Sequence, residues 1–88
     1  MAAAIPTITV GTVTFPTAQI ITLGVPRRQM LIENLDTVDS VTVAWNGSVG
    51  AWTLLPGSRL GVLLNGGITT ITVTPVGGAP SFQVLFQG

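Results

Sequence analysis

The side chains that could carry acid, base or ionic chemistry in this chain are three arginines and three carboxylates: Arg27, Arg28, Arg59, Glu33, Asp36 and Asp39. Histidine, cysteine, tyrosine and lysine are all absent. Acid–base catalysis needs a group that titrates near the working pH, and a serine or threonine nucleophile needs such a group to activate it. The sequence supplies neither, so we predict that the protein is not an enzyme.

The same inventory argues against a metal, a cofactor or a nucleic acid as ligand. Structural zinc and iron–sulfur sites use cysteine or histidine, and three separated carboxylates make a poor calcium cage. The formal net charge is zero, and the dipeptide Arg27-Arg28 is far less basic surface than a phosphate backbone requires. A glycine-rich phosphate loop ending in lysine is missing as well. We expect no cofactor, no metal and no nucleic-acid partner.

The position of the arginine pair in the sequence allows two interpretations. Arg27 and Arg28 follow Pro26 at the entry to a predicted strand. They are either solvated there or form bidentate pairs with carboxylates or carbonyl groups of an adjacent subunit. Arg59 is a third candidate for such a subunit contact.

The three carboxylates have simpler interpretations. Asp36 and Asp39 flank Thr37-Val38 in a loop, where aspartate side chains accept hydrogen bonds from nearby backbone N–H groups. Glu33 is expected to be an outward strand residue or the ion-pair partner of Arg59.

The charged residues must be positioned by short runs of Val, Ile, Thr and Phe. These runs alternate with clusters of Gly, Pro, Asn and Asp. This spacing predicts an all-β protein, a small antiparallel β-sandwich or barrel of Greek-key or jelly-roll type with six to eight short strands. A single domain over residues 8–88 follows an arm of residues 1–7. The predicted strands are Ile8–Phe15, Gln19–Leu23, Met30–Asn34, Val41–Trp45, Val49–Leu54, Arg59–Leu64, Ile68–Thr74 and Phe82–Gln87.

Three turns are predicted between these strands. Asn46-Gly47 favours a two-residue hairpin turn because both residues tolerate a positive φ, and it would pair Val43 with Gly50, Val41 with Trp52 and Trp45 with Ser48. Pro56-Gly57 has the residues that a type II turn requires. Asn65-Gly66-Gly67 is expected to reverse the chain between two strands.

The hairpin places Trp45 and Trp52 on one face with Val41 and Val43, and we expect that face to be the core. The alternative is an aromatic platform for a sugar ring, because the C–H face of a sugar packs on indole. In the last strand Phe82, Val84 and Phe86 alternate with other residues as an inner face. Leu85 breaks the alternation and would suit a contact with a neighbour.

The arm, residues 1–7, is either frayed or ordered on a neighbouring subunit, and Ile5 is its main apolar contact residue. No basic start or long apolar stretch marks it as a secretory signal. The apolar runs of the chain are far shorter than the ~18 residues that a membrane helix needs. We therefore expect assembly in a cytoplasm and no membrane partner.

The low charge of the chain predicts self-association. Only 7% of residues are charged, against about 25% in a typical soluble domain. Such a surface gives little electrostatic protection against contact with other subunits, and edge strands without charges suit an assembly whose neighbours cover them. We expect a symmetric homo-oligomer, for example a trimer.

A series of segments resembles small β-sandwich structural proteins of tailed bacteriophages. The segments are Arg27–Leu35, Val41–Trp45, the Leu54–Leu60 turn region, Ile71–Val73 and the closing strand. The resemblance implies a virion protein whose partners are the major capsid protein or other virion subunits. Head decoration or cement proteins that bind across capsomer junctions fit best, and tail, neck or head-fibre components remain open. A carbohydrate- or surface-binding module is the alternative from another class.

Overall fold

The computed structural model describes residues 7–47 and 50–87, which contain six strands and no helix. The strands pair antiparallel in one sheet of order β1-β6-β2-β5-β3-β4. This architecture confirms the all-β, sandwich-like or barrel-like fold predicted from the sequence. The strands are β1 Thr7–Thr12, β2 Gln19–Asn34, β3 Val41–Trp45, β4 Trp52–Leu54, β5 Arg59–Pro75 and β6 Ser81–Gln87.

The two long strands, β2 and β5, pair with each other in two separate regions. Residues 29–33 of β2 pair with 59–63 of β5, and residues 19–22 pair with 70–73. β6 and β1 extend the sheet beside the first of these paired regions, and β3 and β4 extend it beside the second. We call the two regions with their added strands the β6 half and the β3 half.

The core lies between these halves, because buried side chains from both form one cluster. A flat sheet would leave both faces in water, so the sheet must fold over on itself. Phe82, Val84 and Phe86 are almost fully buried, which confirms the predicted inner face of β6. Each such side chain contributes about 1.5–3 kcal/mol of transfer free energy. The other members of the cluster are Val13, Met30, Ile32, Val41, Val43, Leu54, Ile68, Ile71 and Val73.

The prediction of a chain reversal at Asn65-Gly66-Gly67 is wrong. These residues lie inside β5, so the predicted strands Arg59–Leu64 and Ile68–Thr74 are one strand, and Gln19–Leu23 and Met30–Asn34 are likewise joined in β2. Gly67 has φ 87°, and a Cβ there would lie 2.7 Å from Cβ of Pro26 on β2. The glycine therefore serves a bend where the two long strands approach closely, not a turn.

The predicted pairing of the Asn46-Gly47 hairpin is also wrong, by two residues. Asn46 and Gly47 do have positive φ values of 53° and 68°. However, Val43 pairs with Trp52 and Val41 pairs with Leu54. The Asn46 side chain is engaged by β5, since its Nδ2 donates to Gly67 O at 2.9 Å. The shift by an even number leaves the side chains of β3 and β4 on their predicted faces.

The turn at Pro56-Gly57 is confirmed. Ser58 N donates to Leu55 O at 3.0 Å, and Gly57 has φ 75°, as a type II turn requires. Gly57 N also donates to Asn34 O at 3.0 Å, so the turn is joined to the end of β2.

Candidate interaction site

A shallow apolar groove lies on the outer face of the β6 half. Leu31 is the cross-strand neighbour of Leu85 on β6 and of Gly61 on β5, and Leu63 follows on β5. The missing side chain at Gly61 leaves a depression of about 330 Å³ among these leucines. We call Leu31, Gly61, Leu63 and Leu85, with Gln29 and Gln87 at one end, the leucine groove.

The leucine groove is an outward surface. Leu63 is 70% exposed and Leu31 is 41% exposed, although the residues that alternate with Leu31, Met30 and Ile32, are buried. Leu85 is half-buried and forms one wall of the groove. Exposed apolar side chains in such a cluster mark interaction surfaces more often than single exposed ones do.

A polar row borders the leucine groove. Arg59 and Glu33 are cross-strand neighbours, with Arg59 Nε 3.6 Å from Glu33 Oε2. This is the ion pair that the sequence offered as one interpretation of Glu33. The Arg59 side chain is 67% exposed, so the pair contributes only about 0–1 kcal/mol to stability. Two predicted interface residues, Arg59 and Leu85, thus lie on the same outer face.

Arg27 and Arg28 have different environments despite being adjacent. Arg27 is half-buried, and its Nη2 donates to Phe86 O at 3.4 Å. It lines a recess with Ile21 and Leu23 at the irregular part of β2. Arg28 is exposed. The two guanidinium groups therefore do not share one environment.

The tryptophans also separate. Trp45 is half-buried and packs against the core cluster, as predicted. Trp52 is 59% exposed, which contradicts its predicted place in the core. β4 is a short edge strand of three residues, so it leaves the indole without a cover from a further strand of the described chain. Gly50 and Ala51 line a shallow recess together with the two indole rings.

The outer face of the β3 half is lined by threonines. Thr70, Thr72 and Thr74 alternate with the buried Ile71 and Val73 along β5. The row continues across the sheet, because Thr74 is paired with Thr42 on β3 and Thr42 with Thr53 on β4. This face is mostly polar, although the exposed Ile20 lies beside Thr72 on it, and it carries no charged side chain among those described.

A structural centre that the sequence analysis missed is Asn34, the one polar side chain among the fully buried ones described. Its Nδ2 donates to Asp39 O at 2.9 Å and to Leu54 O at 3.0 Å. Its Oδ1 accepts a hydrogen bond from Asp36 N at 2.9 Å. Asn34 therefore joins β2, the following loop and β4. The only sequence signal was an asparagine at the end of a predicted strand.

Asp36 performs the predicted turn chemistry. Its Oδ2 accepts hydrogen bonds from Asp39 N at 2.6 Å and from Val38 N at 3.1 Å. The hydrogen bond from Asp39 N is the main cause that lowers the pKa of the Asp36 carboxyl below its ordinary value of 3.8, and that from Val38 N adds to it. This carboxylate organises its own loop.

Ile5 and the rest of the arm before residue 7 lie outside the described residues. In the part of the chain that is described, there is no apolar helix long enough to cross a membrane.

Comparisons with known proteins find no protein-family model that matches the chain, and no significant match among curated proteins.

Proposed function

We propose that this chain is a non-enzymatic structural subunit of a bacteriophage virion, a decoration or cement protein that stabilises the head by binding the major capsid protein across capsomer junctions. The observation that carries the proposal is the leucine groove. It gives a domain with very few charges an outward apolar surface on a rigid sheet. The protein would be located in the virion, after assembly in the bacterial cytoplasm.

The chemistry of the surface supports a role through contact burial. Leu31, Leu63 and Leu85 offer apolar area, while the neighbouring charges Arg59 and Glu33 already neutralise each other. Docking would therefore desolvate little uncompensated charge. Many identical copies on one particle would multiply a modest binding free energy per site. The resemblance of the sequence to phage β-sandwich proteins supports the same role.

The test is co-sedimentation of the purified protein with empty capsid shells that lack it. We expect saturable binding with a fixed ratio to the capsid subunits, and a rise in the temperature at which the shells disassemble. Leu31→Lys, at the centre of the leucine groove, should weaken binding at least about 10-fold because it places a charge in the buried contact. Val38→Lys is the matched control, because Val38 is 78% exposed in a loop.

The proposal fails if the protein does not sediment with the shells. It also fails in its assignment of the surface if Leu31→Lys and Val38→Lys bind equally well. Circular dichroism of both variants separates lost binding from lost folding.

The exposure of Trp52 favours a second candidate, a carbohydrate- or surface-binding module. An indole that is 59% exposed beside the bare backbone of Gly50 offers a flat apolar platform for a sugar ring. A glycan array would test it, followed by titration of the tryptophan fluorescence. Binding that Trp52→Ala abolishes would support this candidate, and an array without hits would reject it.

A further inference from the structure

We infer that two copies of this chain associate through the free edge of β5, which adds strand to strand and joins two β6 halves into one continuous sheet. This inference deepens the self-association part of the proposed function, but it does not require binding to a particle. Three observations support it: the unpaired edge at residues 59–63, the exposed side chain of Leu63 and the absence of a side chain at Gly61.

Part of β5 forms a free edge of the sheet. β5 has a strand on both sides only where β3 pairs with residues 71–75. Residues 59–63 pair with β2 alone within the described ranges 7–47 and 50–87. Unpaired backbone N–H and C=O groups of such an edge can bond to another strand.

The composition of this edge also favours pairing with another strand. Natural edge strands are usually blocked by charges, proline or short length. From Leu60 to Leu64 the sequence reads Leu-Gly-Val-Leu-Leu, with neither proline nor charge. By contrast, the edge strand β4 has only three residues. In the β3 half, residues 19–22 of β2, which pair with β5, are soon followed by Pro26.

Shape complementarity selects the register and points to a second copy as the occupant. In an antiparallel pair related by a two-fold axis at Val62, Leu63 of each copy lies opposite Gly61 of the other. The exposed side chain of Leu63 then covers the bare backbone at Gly61, where an added Cβ would meet nothing within 4 Å. One strand thus carries both the projecting side chain of Leu63 and the space for it at Gly61, two positions away in the chain.

The charges allow this register. Arg59 is the only charged residue of the edge, and it is already paired with Glu33 in its own subunit. Pairing centred on Val62 puts Arg59 opposite Asn65 of the other copy. The two Arg59 residues are then six positions apart, or roughly 20 Å, beyond the screening length of about 10 Å at 0.1 M salt. No like charges face each other.

Joining the two edges also alters the leucine groove, because Leu63 of each copy fills the depression at Gly61 of the other. Both grooves lie on the same outer face, and the two-fold axis places them side by side. The combined surface presents Leu31 and Leu85 of each copy on one sheet. A dimer therefore presents two copies of the Leu31–Leu85 pair to a particle on one face.

The experiment is sedimentation velocity of the full chain over a wide concentration range. We expect a reversible monomer–dimer equilibrium. Leu63→Lys should raise the dissociation constant at least about 100-fold, because a substitution in a two-fold interface acts twice. Val38→Lys carries the same change of charge at an exposed loop position and should leave the dimer intact.

A disulfide tests the register independently. The native chain has no cysteine. Val62→Cys brings two identical positions face to face across the axis and should form a covalent dimer on mild oxidation. Leu60→Cys is the control, because pairing centred on Val62 separates its two copies by four positions.

A protein that is monomeric at all concentrations, or a trimer, would overturn the inference. So would a dimer that Leu63→Lys leaves intact, or equal crosslinking at positions 60 and 62. A dimer that meets these tests but does not sediment with capsid shells would overturn the proposed function and leave this inference standing.

Discussion

Replacing Asn34 with alanine should be among the most damaging single substitutions in this fold. Asn34 is fully buried, and its amide makes three hydrogen bonds with three different backbone groups. Asn34→Ala removes both donors and the acceptor at once. It also leaves Leu54 O, which is bound in a buried environment, without this partner.

The expected loss follows from these contacts. The buried bond to Leu54 O costs about 1–3 kcal/mol when its acceptor is left unsatisfied. The two partly buried bonds, to Asp39 O and from Asp36 N, cost about 1 kcal/mol each because water can replace part of them. The sum is about 3–5 kcal/mol. A chain of 88 residues has roughly 4–13 kcal/mol of stability in total, so the loss is a large fraction of the whole.

Urea unfolding followed by circular dichroism measures this loss, with tryptophan fluorescence as a second probe. In thermal unfolding, we expect Tm to fall by at least about 12 °C. Asn65→Ala is the matched control, because Asn65 is exposed, and it should change stability by no more than about 0.5 kcal/mol. An Asn34→Ala protein within about 1 kcal/mol of the native chain would refute the role assigned to this amide.

Two further substitutions test the bend and the loop. Gly67→Ala should cost about 2–4 kcal/mol, because it combines a positive φ with a contact 2.7 Å from Pro26 Cβ, whereas a Cβ at Gly66 meets nothing within 4 Å. Equal urea midpoints for Gly67→Ala and Gly66→Ala would contradict this account. For Asp36, a pKa that folding lowers means that its contribution is complete above the ordinary value of 3.8 and is lost as the pH falls through the folded value. Asp36→Asn should therefore flatten the loss of stability below about pH 4, and an unchanged slope would count against the proposed hydrogen bonds.

The features that sequence predicted well depend on neighbours in the chain. Alternation placed Phe82, Val84 and Phe86 inward because the side-chain period of a strand is fixed at two. The Pro56-Gly57 turn depends on the φ preferences of the two residues themselves. Both are local properties, so a single sequence contains them.

The features that sequence missed depend on a second segment. A glycine with positive φ serves a chain reversal and a bend equally well, and only the close approach of Pro26 shows which applies at Gly67. The pairing of β3 with β4 differs from the expected one, and the side chain of Asn46 bonds to β5 there. Trp52 is exposed because β4 is an edge strand, which its own sequence does not reveal.

The candidate interaction site shows the same division. Arg59 and Leu85 were predicted as single contact residues from their types. Their common face, and the bare Gly61 between the leucines, exist only because β2 aligns β5 with β6. A depression made by a missing side chain has no signature in the one-dimensional pattern.

The position of β6 in the sheet has a consequence for biosynthesis. β6 follows every other strand in the chain, yet it lies between β1 and β2, and it is the sole strand that pairs with β1 among the residues described. During translation β1 therefore emerges early and has no partner until residues 81–87 leave the ribosome. Pairings between such distant segments form slowly and expose unpaired edges meanwhile. Emergence of β6 from the ribosome is thus the event that permits the sheet to close, and a nascent chain halted before β6 would present β1 and β2 to other molecules.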